Sequence, residues 1–370
     1  MSSTEDACKL ALTKIPGVGP VLARNLISYC GGVEEVFNTP LARLMKVPGI
    51  GKKTAESIRS SDFPEEAERE LHEMRKAGVR FLFFLDEAYP YRLRHCHDSP
   101  LLLFYKGTAD LNNPRSVAIV GTRNCSKYGE EICEYLVREL ASVNPLIVSG
   151  MAYGIDISAH RAALRHGLDT VGVFAHGLDT VYPGSHFGTA QKMIQKGGLL
   201  SEFPFNTNPD RENFPQRNRV VAGMVDLVIV VETAEKGGAT ITADIALSYD
   251  REVFAVPGPL FSPVSRGCHV LISRNKAICV ESVEQILKEM RWDLKEDAED
   301  LKSRQMALFD GLESNEKKVI ELLKKGPVAI DDLVERSGMD AGDLLSILLQ
   351  LEFSGIVRAL PGKMYKLSGY

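Results

Sequence analysis

Between Gly78 and Glu289 the chain alternates short β-branched or aromatic runs with helical stretches, and this alternation limits the possible folds more than any other feature. The runs Val79–Leu85, Leu101–Tyr105, Val117–Val120, Leu146–Ser149, Val171–Phe174, Leu227–Val231 and Val253–Val256 are apolar with little interruption. A strand with one wet face alternates apolar and polar residues, whereas a continuously apolar strand is covered on both faces. The stretches Gly129–Ala141, Ile155–His166, Gly184–Lys196 and Thr240–Tyr249 are suited to crossover helices. The expected class is therefore α/β, a Rossmann-like, doubly wound, mostly parallel sheet with helices on both faces. Ligands of such sheets bind beyond the carboxyl ends of the strands.

Upstream, Ile15-Pro-Gly17-Val-Gly19 and Val47-Pro-Gly49-Ile-Gly51 form an internal repeat. Their glycines permit a sharp turn that leaves amide groups free at a helix start, where a phosphate can sit. Both phrases resemble helix-hairpin-helix elements, which bind nucleic-acid backbones without reading sequence. Only the second carries cations at the helix start. Gly49, Gly51, Lys52 and Lys53 are therefore the candidate secondary DNA contact, with a purely structural helical role as the open alternative.

Downstream, residues 291–312 hold 4 Lys/Arg and 6 Asp/Glu and read as an acidic linker. Glu316–Lys325, Ile330–Ser337 and Asp340–Ser354 then read as helices, followed by a hairpin turning at Pro361-Gly362, which is the winged-helix plan. Winged helices read the major groove through polar side chains on the third helix. Here no Lys or Arg occurs between Ser337 and Val357, so a protein-contact or self-contact role is favoured over duplex binding. The expected division is a helical domain over 1–75, a sheet domain over 76–290, the linker over 291–312 and a winged-helix-like domain over 313–370.

Lys+Arg 44 against Asp+Glu 49 gives a net charge of −5, so any polyanion must be held by a local basic patch. Seven cysteines, scattered and never spaced as C-x-x-C, argue against a disulfide framework and a zinc site. His95-Cys96-His97 cannot aim three side chains at one ion from an extended strand. No metal is expected. No stretch approaches the roughly 20 apolar residues of a membrane span, and the start lacks the basic and apolar regions of an export signal. A cytoplasmic location without membrane contact is expected.

The chemistry concentrates in the loops that follow strands. Gly121-Thr122-Arg123 offers backbone N–H, hydroxyl and guanidinium groups to a phosphate. Ser149-Gly150 begins a turn whose glycines allow close backbone approach, and His176-Gly177 follows the next strand. Arg211-Glu-Asn-Phe214-Pro-Gln-Arg217-Asn218-Arg219, read as a loop, sets three guanidinium groups around one ring. Such a pairing suits single strands, because phosphates take the charge and an unpaired base takes the aromatic face. Lys236-Gly237-Gly238-Ala-Thr240 adds charge and free amides at the start of the next helix. Asp156, His160 and His176 are compatible with acid–base work, but a turn-capping carboxylate and packed histidines are the favoured reading.

Read in order, Tyr89-Pro-Tyr-Arg-Leu, Ser99-Pro-Leu-Leu-Leu-Phe-Tyr-Lys-Gly107, Val120-Gly-Thr-Arg123, Ser149-Gly-Met-Ala-Tyr-Gly-Ile-Asp156, Gly177-Leu-Asp-Thr-Val-Tyr-Pro183, Ser201-Glu-Phe-Pro204, Phe214-Pro-Gln-Arg-Asn-Arg219, Lys236-Gly-Gly-Ala-Thr-Ile-Thr-Ala243 and Arg251-Glu-Val-Phe-Ala-Val-Pro-Gly258 resemble the DprA/Smf family of bacterial natural transformation and DNA uptake. The resemblance implies a non-enzymatic single-stranded-DNA-binding protein, dimeric through its Rossmann-like domain, that protects incoming strands and helps load the RecA recombinase. Carried onto this chain, Arg123 clamps a phosphate, Phe214 stacks a base, and Arg211, Arg217 and Arg219 follow the backbone. Lys236, Gly237, Gly238 and Thr240 complete the anion cradle. Arg211 stands where the family often has Lys, Gly238 where Ser is common, and Tyr153 where Arg is frequent.

Two rivals stay open. The fold also resembles nucleoside-monophosphate phosphoribohydrolases, but their Pro-Gly-Gly-x-Gly-Thr-x-x-Glu carboxylate has no counterpart before Asp244. No G-x-x-x-x-G-K-[ST] loop and no complete post-strand G-x-G-x-x-G occurs, so no nucleotide cofactor is expected. The second rival is a dimeric scaffold that binds no DNA.

Overall fold

The computed structural model describes residues 3–59, 63–292, 314–324, 326–354 and 356–367. At its centre is a nine-stranded sheet made of β1 (Arg80–Phe83), β2 (Leu102–Gly107), β3 (Ser116–Val120), β4 (Leu146–Gly150), β5 (Thr170–Phe174), β6 (Gly197–Ser201), β7 (Leu227–Val230), β8 (Glu252–Ala255) and β9 (Ile278–Cys279). The spatial order is β1-β2-β6-β5-β4-β3-β7-β8-β9. From β6 to β9 all neighbours are parallel, while β1 and β2 are antiparallel additions at one edge. The chain leaves β3 toward β4, β5 and β6, then returns to place β7 on the other side of β3. That reversal is the topological switch point, where loops diverge and leave a crevice.

Continuous apolar sequence has the predicted consequence, since β3, β4 and β5 are buried along their whole length. Helices Lys127–Leu140, Ile155–Arg165 and Val283–Glu289 close one face through Cys133, Leu136, Ala159 and Ile286. Helices Asn213–Gly223, Gly238–Ser248 and Arg266–Ser273 close the other through Val220, Ala243 and Leu271.

Three local expectations are corrected. Strands β6 and β9 were not foreseen, and most of Arg211–Arg219 is the first half of a helix rather than a loop. Pro215 is the third residue of that helix, and a first turn tolerates proline because its N–H groups have no intrahelical acceptor.

The N-terminal repeat is visible in the backbone. Val18 N–H donates to Ile15 O at 3.1 Å and Ile50 N–H to Val47 O at 3.0 Å. Gly17 and Gly49 take φ of 79° and 85°, a left-handed conformation that glycine adopts without steric cost. These helices share one core with the sheet edge, where Leu10, Leu26 and Leu71 cluster with Phe83, Leu102 and Phe104.

At the other end, helices Ser314–Leu323, Ile330–Ser337 and Ala341–Phe353 pack with β10 (Val328–Ala329), β11 (Val357–Leu360) and β12 (Met364–Leu367) as a winged helix. The acidic segment expected at 291–312 lies, from residue 293 onward, outside the described residues. The wing turn meets the amino-terminal end of the sheet. Gly362 N–H donates to Asp250 O at 3.1 Å and Arg251 Nη1 to Pro361 O at 3.2 Å. A Cβ on Gly362 would collide with the Arg251 guanidinium.

Candidate nucleic-acid interface

The crevice is built by hydrogen bonds among the loops that follow β3, β4 and β7. Thr122 N–H donates to Glu232 O at 2.7 Å, and Ile155 N–H donates to Thr122 O at 3.2 Å. The buried Glu232 carboxylate accepts from Ser126 N–H at 2.9 Å and Ser126 Oγ at 2.6 Å. One acid after β7 thus fixes the start of the helix after β3. The loops surround a cavity of about 470 Å³.

Ten of the predicted residues line it: Gly121, Thr122, Arg123, Gly150, Arg211, Phe214, Arg217, Asn218, Gly237 and Gly238. The other four point elsewhere. Ser149 is buried and donates to Ile119 O at 2.6 Å. Thr240 Oγ1 donates to Gly237 O at 2.7 Å. Lys236 lines a neighbouring groove. Arg219, expected beside Arg217 on one track, is instead held by the Glu202 carboxylate and Asp98 O. Positions two apart on a helix lie on different sides of it, so the two arginines diverge.

The three arginines facing the cavity are not equivalent. Arg123 is exposed, with its guanidinium carbon 4.9 Å from the centre of the half-buried Phe214 ring. Arg211 is also exposed. Arg217 approaches the same ring at 6.0 Å but is buried, donating from Nη1 to Val173 O at 2.7 Å and from Nε to Asn218 Oδ1 at 3.2 Å. Beside it lies Asp156, whose carboxyl is pushed up by burial while Arg217 and Arg123 pull it down. Burial likewise lowers the Arg217 guanidinium, opposed by Asp156. The two compensate each other inside the wall. A Cβ on Gly150 would strike both groups, so this position must be glycine for the pair to approach.

His160 supports the same strand end. Its ring nitrogens lie 2.7 Å from Gly150 O and 2.7 Å from Thr170 Oγ1, and burial lowers its pKa to about 4. His176 Nδ1 bonds Gly177 O at 2.8 Å. Asp156, His160 and His176 are therefore each engaged locally and form no relay. Sequence reasoning missed Glu232 as the staple, which lies in no distinctive phrase, and the pairing of Asp156 with Arg217, which are remote in sequence and meet only through packing.

Lys52 and Lys53 are exposed at the start of helix Lys52–Arg59, where Lys52 lies 3.8 Å from Glu56. Neither they nor Gly49 and Gly51 line the crevice. Among the described residues, no group of three or more His, Cys, Asp or Glu side chains could hold a metal ion. No described helix is long and apolar enough to cross a membrane.

Fold and crevice together define a Rossmann-like protein with a cationic, aromatic-walled cleft at its switch point, flanked by helix-hairpin-helix and winged-helix units. Residues 80–291 match the family model for DNA recombination-mediator protein A, 306–363 the DprA winged helix domain, and 9–61 the SAM-like helix-hairpin-helix tandem. The chain belongs to the DprA/Smf family. Protein Smf of Synechocystis sp. is 31% identical over 397 residues, covering 99% of this chain and 100% of the relative. The structure of DNA processing protein A from Streptococcus pneumoniae aligns with a TM-score of 0.68 at 32% identity, covering 78% of this chain and 98% of that one. A structure of the Helicobacter pylori protein, described for its single-stranded DNA binding mode, aligns at 0.53 with 30% identity, covering 58% and 96% respectively.

Proposed function

We propose that this chain binds single-stranded DNA in the crevice and serves DNA processing in natural transformation, protecting incoming strands and assisting the loading of RecA recombinase. The observation that carries this reading is the Phe214 ring on the cavity wall with the exposed Arg123 guanidinium 4.9 Å from its centre. A cation beside an aromatic face accommodates a phosphate and an unpaired base together, while a duplex hides its base faces. The Helicobacter pylori relative, whose structure is described for single-stranded DNA binding, supports the same reading.

In this reading Arg123 and Arg211 neutralise phosphates and Phe214 stacks a base. Gly121, Thr122, Gly150, Gly237 and Gly238 let the backbone come close, and Asn218 offers a side-chain amide. Arg217 stiffens the wall through Asp156, with Ser149, Arg219 and Thr240 behind it. Gly49, Gly51, Lys52 and Lys53 form a secondary backbone contact. The protein acts as a cytoplasmic homodimer joined through the Rossmann-like domain, with parts divided at 1–75, 76–290, 291–312 and 313–370. No enzymatic step belongs to the proposal. Asp156, the one carboxylate among the described residues lining the crevice, is buried beside Arg217.

Fluorescence anisotropy with a labelled oligothymidylate tests the binding. Affinity is expected to fall with salt at a log–log slope of about −0.7 per phosphate neutralised. If Arg123→Ala and Phe214→Ala bind as tightly as wild type, the crevice is not the site. Pull-down of RecA with and without single-stranded DNA tests the partner, and release of base from nucleoside monophosphates would instead establish a hydrolase.

A further inference from the structure

On the β4–β5 side of the crevice, the segments that follow these two strands carry three half-exposed rings. Tyr153 is 49% exposed, Tyr182 50% and Phe187 56%. Tyr153 and Tyr182 stand with Phe214 and Arg123 around a recess beside the crevice. Phe187 lines neither that recess nor the crevice cavity and begins the next helix, Phe187–Gln195. The ground beneath it is fixed. Buried His186 sets Nδ1 2.9 Å from Met151 O, and its ring centre lies 4.9 Å from that of Tyr153. His186 N–H donates to Pro183 O at 3.0 Å, and Ser185 Oγ donates to Tyr153 Oη at 3.3 Å. The loop after β5 is thus fastened to the loop after β4, and Phe187 is held in place without being covered. A Cβ added at Gly188 would meet nothing within 4 Å, so the surface beside the ring is open.

The charge around this ring narrows the choice of partner. Between Asp179 and Glu202 the chain contains no acid, while Lys192 and Lys196 are exposed on helix Phe187–Gln195. Helix Ile155–Arg165 packs against that helix and adds the exposed Arg161. Burial lowers the pKa of His186, and the Arg161 charge lowers it further, which puts this guanidinium close to the residue before Phe187. Arg165, one turn on, is held by Glu134, whereas Arg161 has no ion-pair partner among the described residues. A cationic face without acids suits a polyanion. A bare ring near an unpaired guanidinium repeats the pairing of Phe214 with Arg123, the chemistry that single strands require. The patch also adjoins the crevice, because Tyr153 touches His186 on one side and lines the recess with Phe214 on the other.

We propose that this patch continues the DNA path, so that a strand leaving Phe214 passes Tyr153, stacks a further base on Phe187 and lays a phosphate against Arg161. The inference rests on the single-strand reading of the crevice and extends it to a site engaged only by longer strands.

The test compares full-length protein on two labelled oligothymidylates, a short one of about six nucleotides and a long one of about twenty, chosen around common single-strand site sizes. Phe187→Ala and Arg161→Ala are expected to bind the short strand like wild type and the long strand about tenfold more weakly, the loss of one stacked base or one phosphate contact. Arg161→Ala should also flatten the salt slope on the long strand by about 0.7. Gly188→Glu, for which there is room, should weaken the long strand alone by placing a negative charge on the path. Phe187→Trp should keep wild-type affinity, and the long strand alone should quench its added fluorescence, measured against the chain's single tryptophan, Trp292.

The extension is overturned if Phe187→Ala matches wild type on both lengths or weakens both equally. It is also overturned if Phe187→Ala weakens a duplex of about twenty base pairs as much as the long strand, since a duplex offers no free base face to the ring. Phe214→Ala separates the two levels of the argument. Weak binding of both lengths by that variant, with Phe187→Ala neutral, leaves the crevice standing and removes only the extension. No binding of either strand by wild type removes both.

Discussion

Both ends of the parallel sheet gather arginines, and they use them in opposite ways. At the amino-terminal end Arg92, 2% exposed, gives Nε and Nη2 to the Asp226 carboxylate at 2.6 and 2.8 Å. Its remaining donors reach Asn113 O and Pro114 O, each at 2.9 Å. Asp226 is further satisfied by Ser116 N–H at 2.9 Å, and Arg251 Nη2 donates to Arg92 O at 2.7 Å. At the carboxyl end Arg123 and Arg211 face an open cavity, while Arg217 and Arg219 turn inward onto acceptors of the protein. The residue type is the same at both ends. Hydrogen-bond accounting distinguishes a guanidinium that holds the fold from one that faces open space.

The strongest way to break this comparison is Arg92→Ala. It leaves Asp226 buried without its cation, and about 3–5 kcal/mol of stability should be lost, read from the urea midpoint. Glu202, the partner of Arg219, comes next. Burial outweighs the pull of Arg219 and raises the carboxyl from 4.5 to about 7. The folded chain then holds a proton that the unfolded chain has released, so the stability contributed by Glu202 is fully present below about pH 4.5 and is lost as pH climbs toward 7. Glu202→Gln should remove about 2–3 kcal/mol of that decline, measured as melting temperature against pH. An unchanged profile would show that Glu202 is ionised in the folded state.

Arg123→Ala sharpens the contrast from the other side. Its stability should stay within about 0.5 kcal/mol of wild type while oligothymidylate binding weakens about tenfold, the loss of a charge-assisted contact. If Arg123→Ala unfolds as readily as Arg92→Ala, the two ends do not differ in kind. The smallest effect is expected at the helical unit. Lys52→Ala and Lys53→Ala should each weaken binding only about two- to threefold near 0.15 M salt, because exposed charges are screened there.

The sheet was legible because a strand buried on both faces must be apolar throughout, as Val117–Val120 and Leu146–Ser149 are. Strand β6 escaped because it opens with Gly197-Gly198, residues of poor strand propensity. The structure supplies the reason for them. A Cβ on Gly197 would meet the Thr170 backbone, and one on Gly198 the Tyr105 ring. The helix from Asn213 was masked by Pro215, which signals a break when its position in the first turn is unknown. Most of the crevice was legible because glycines, cations and a ring follow successive strands. The fates of Arg217 and Arg219 were not, since they depend on Asp156 and Glu202, remote in sequence and brought near only by packing.

The docked wing has a consequence for competition. Its tip holds the base of the sheet through few bonds, chiefly Gly362 to Asp250 and Arg251 to Pro361, with Lys363 3.3 Å from Asp250. Wing and sheet belong to one polypeptide, so each meets the other at a local concentration on the order of millimolar. Contacts too weak to hold two separate molecules together are then enough to keep this site occupied. A nucleic acid seeking the wing would have to displace a competitor that never diffuses away.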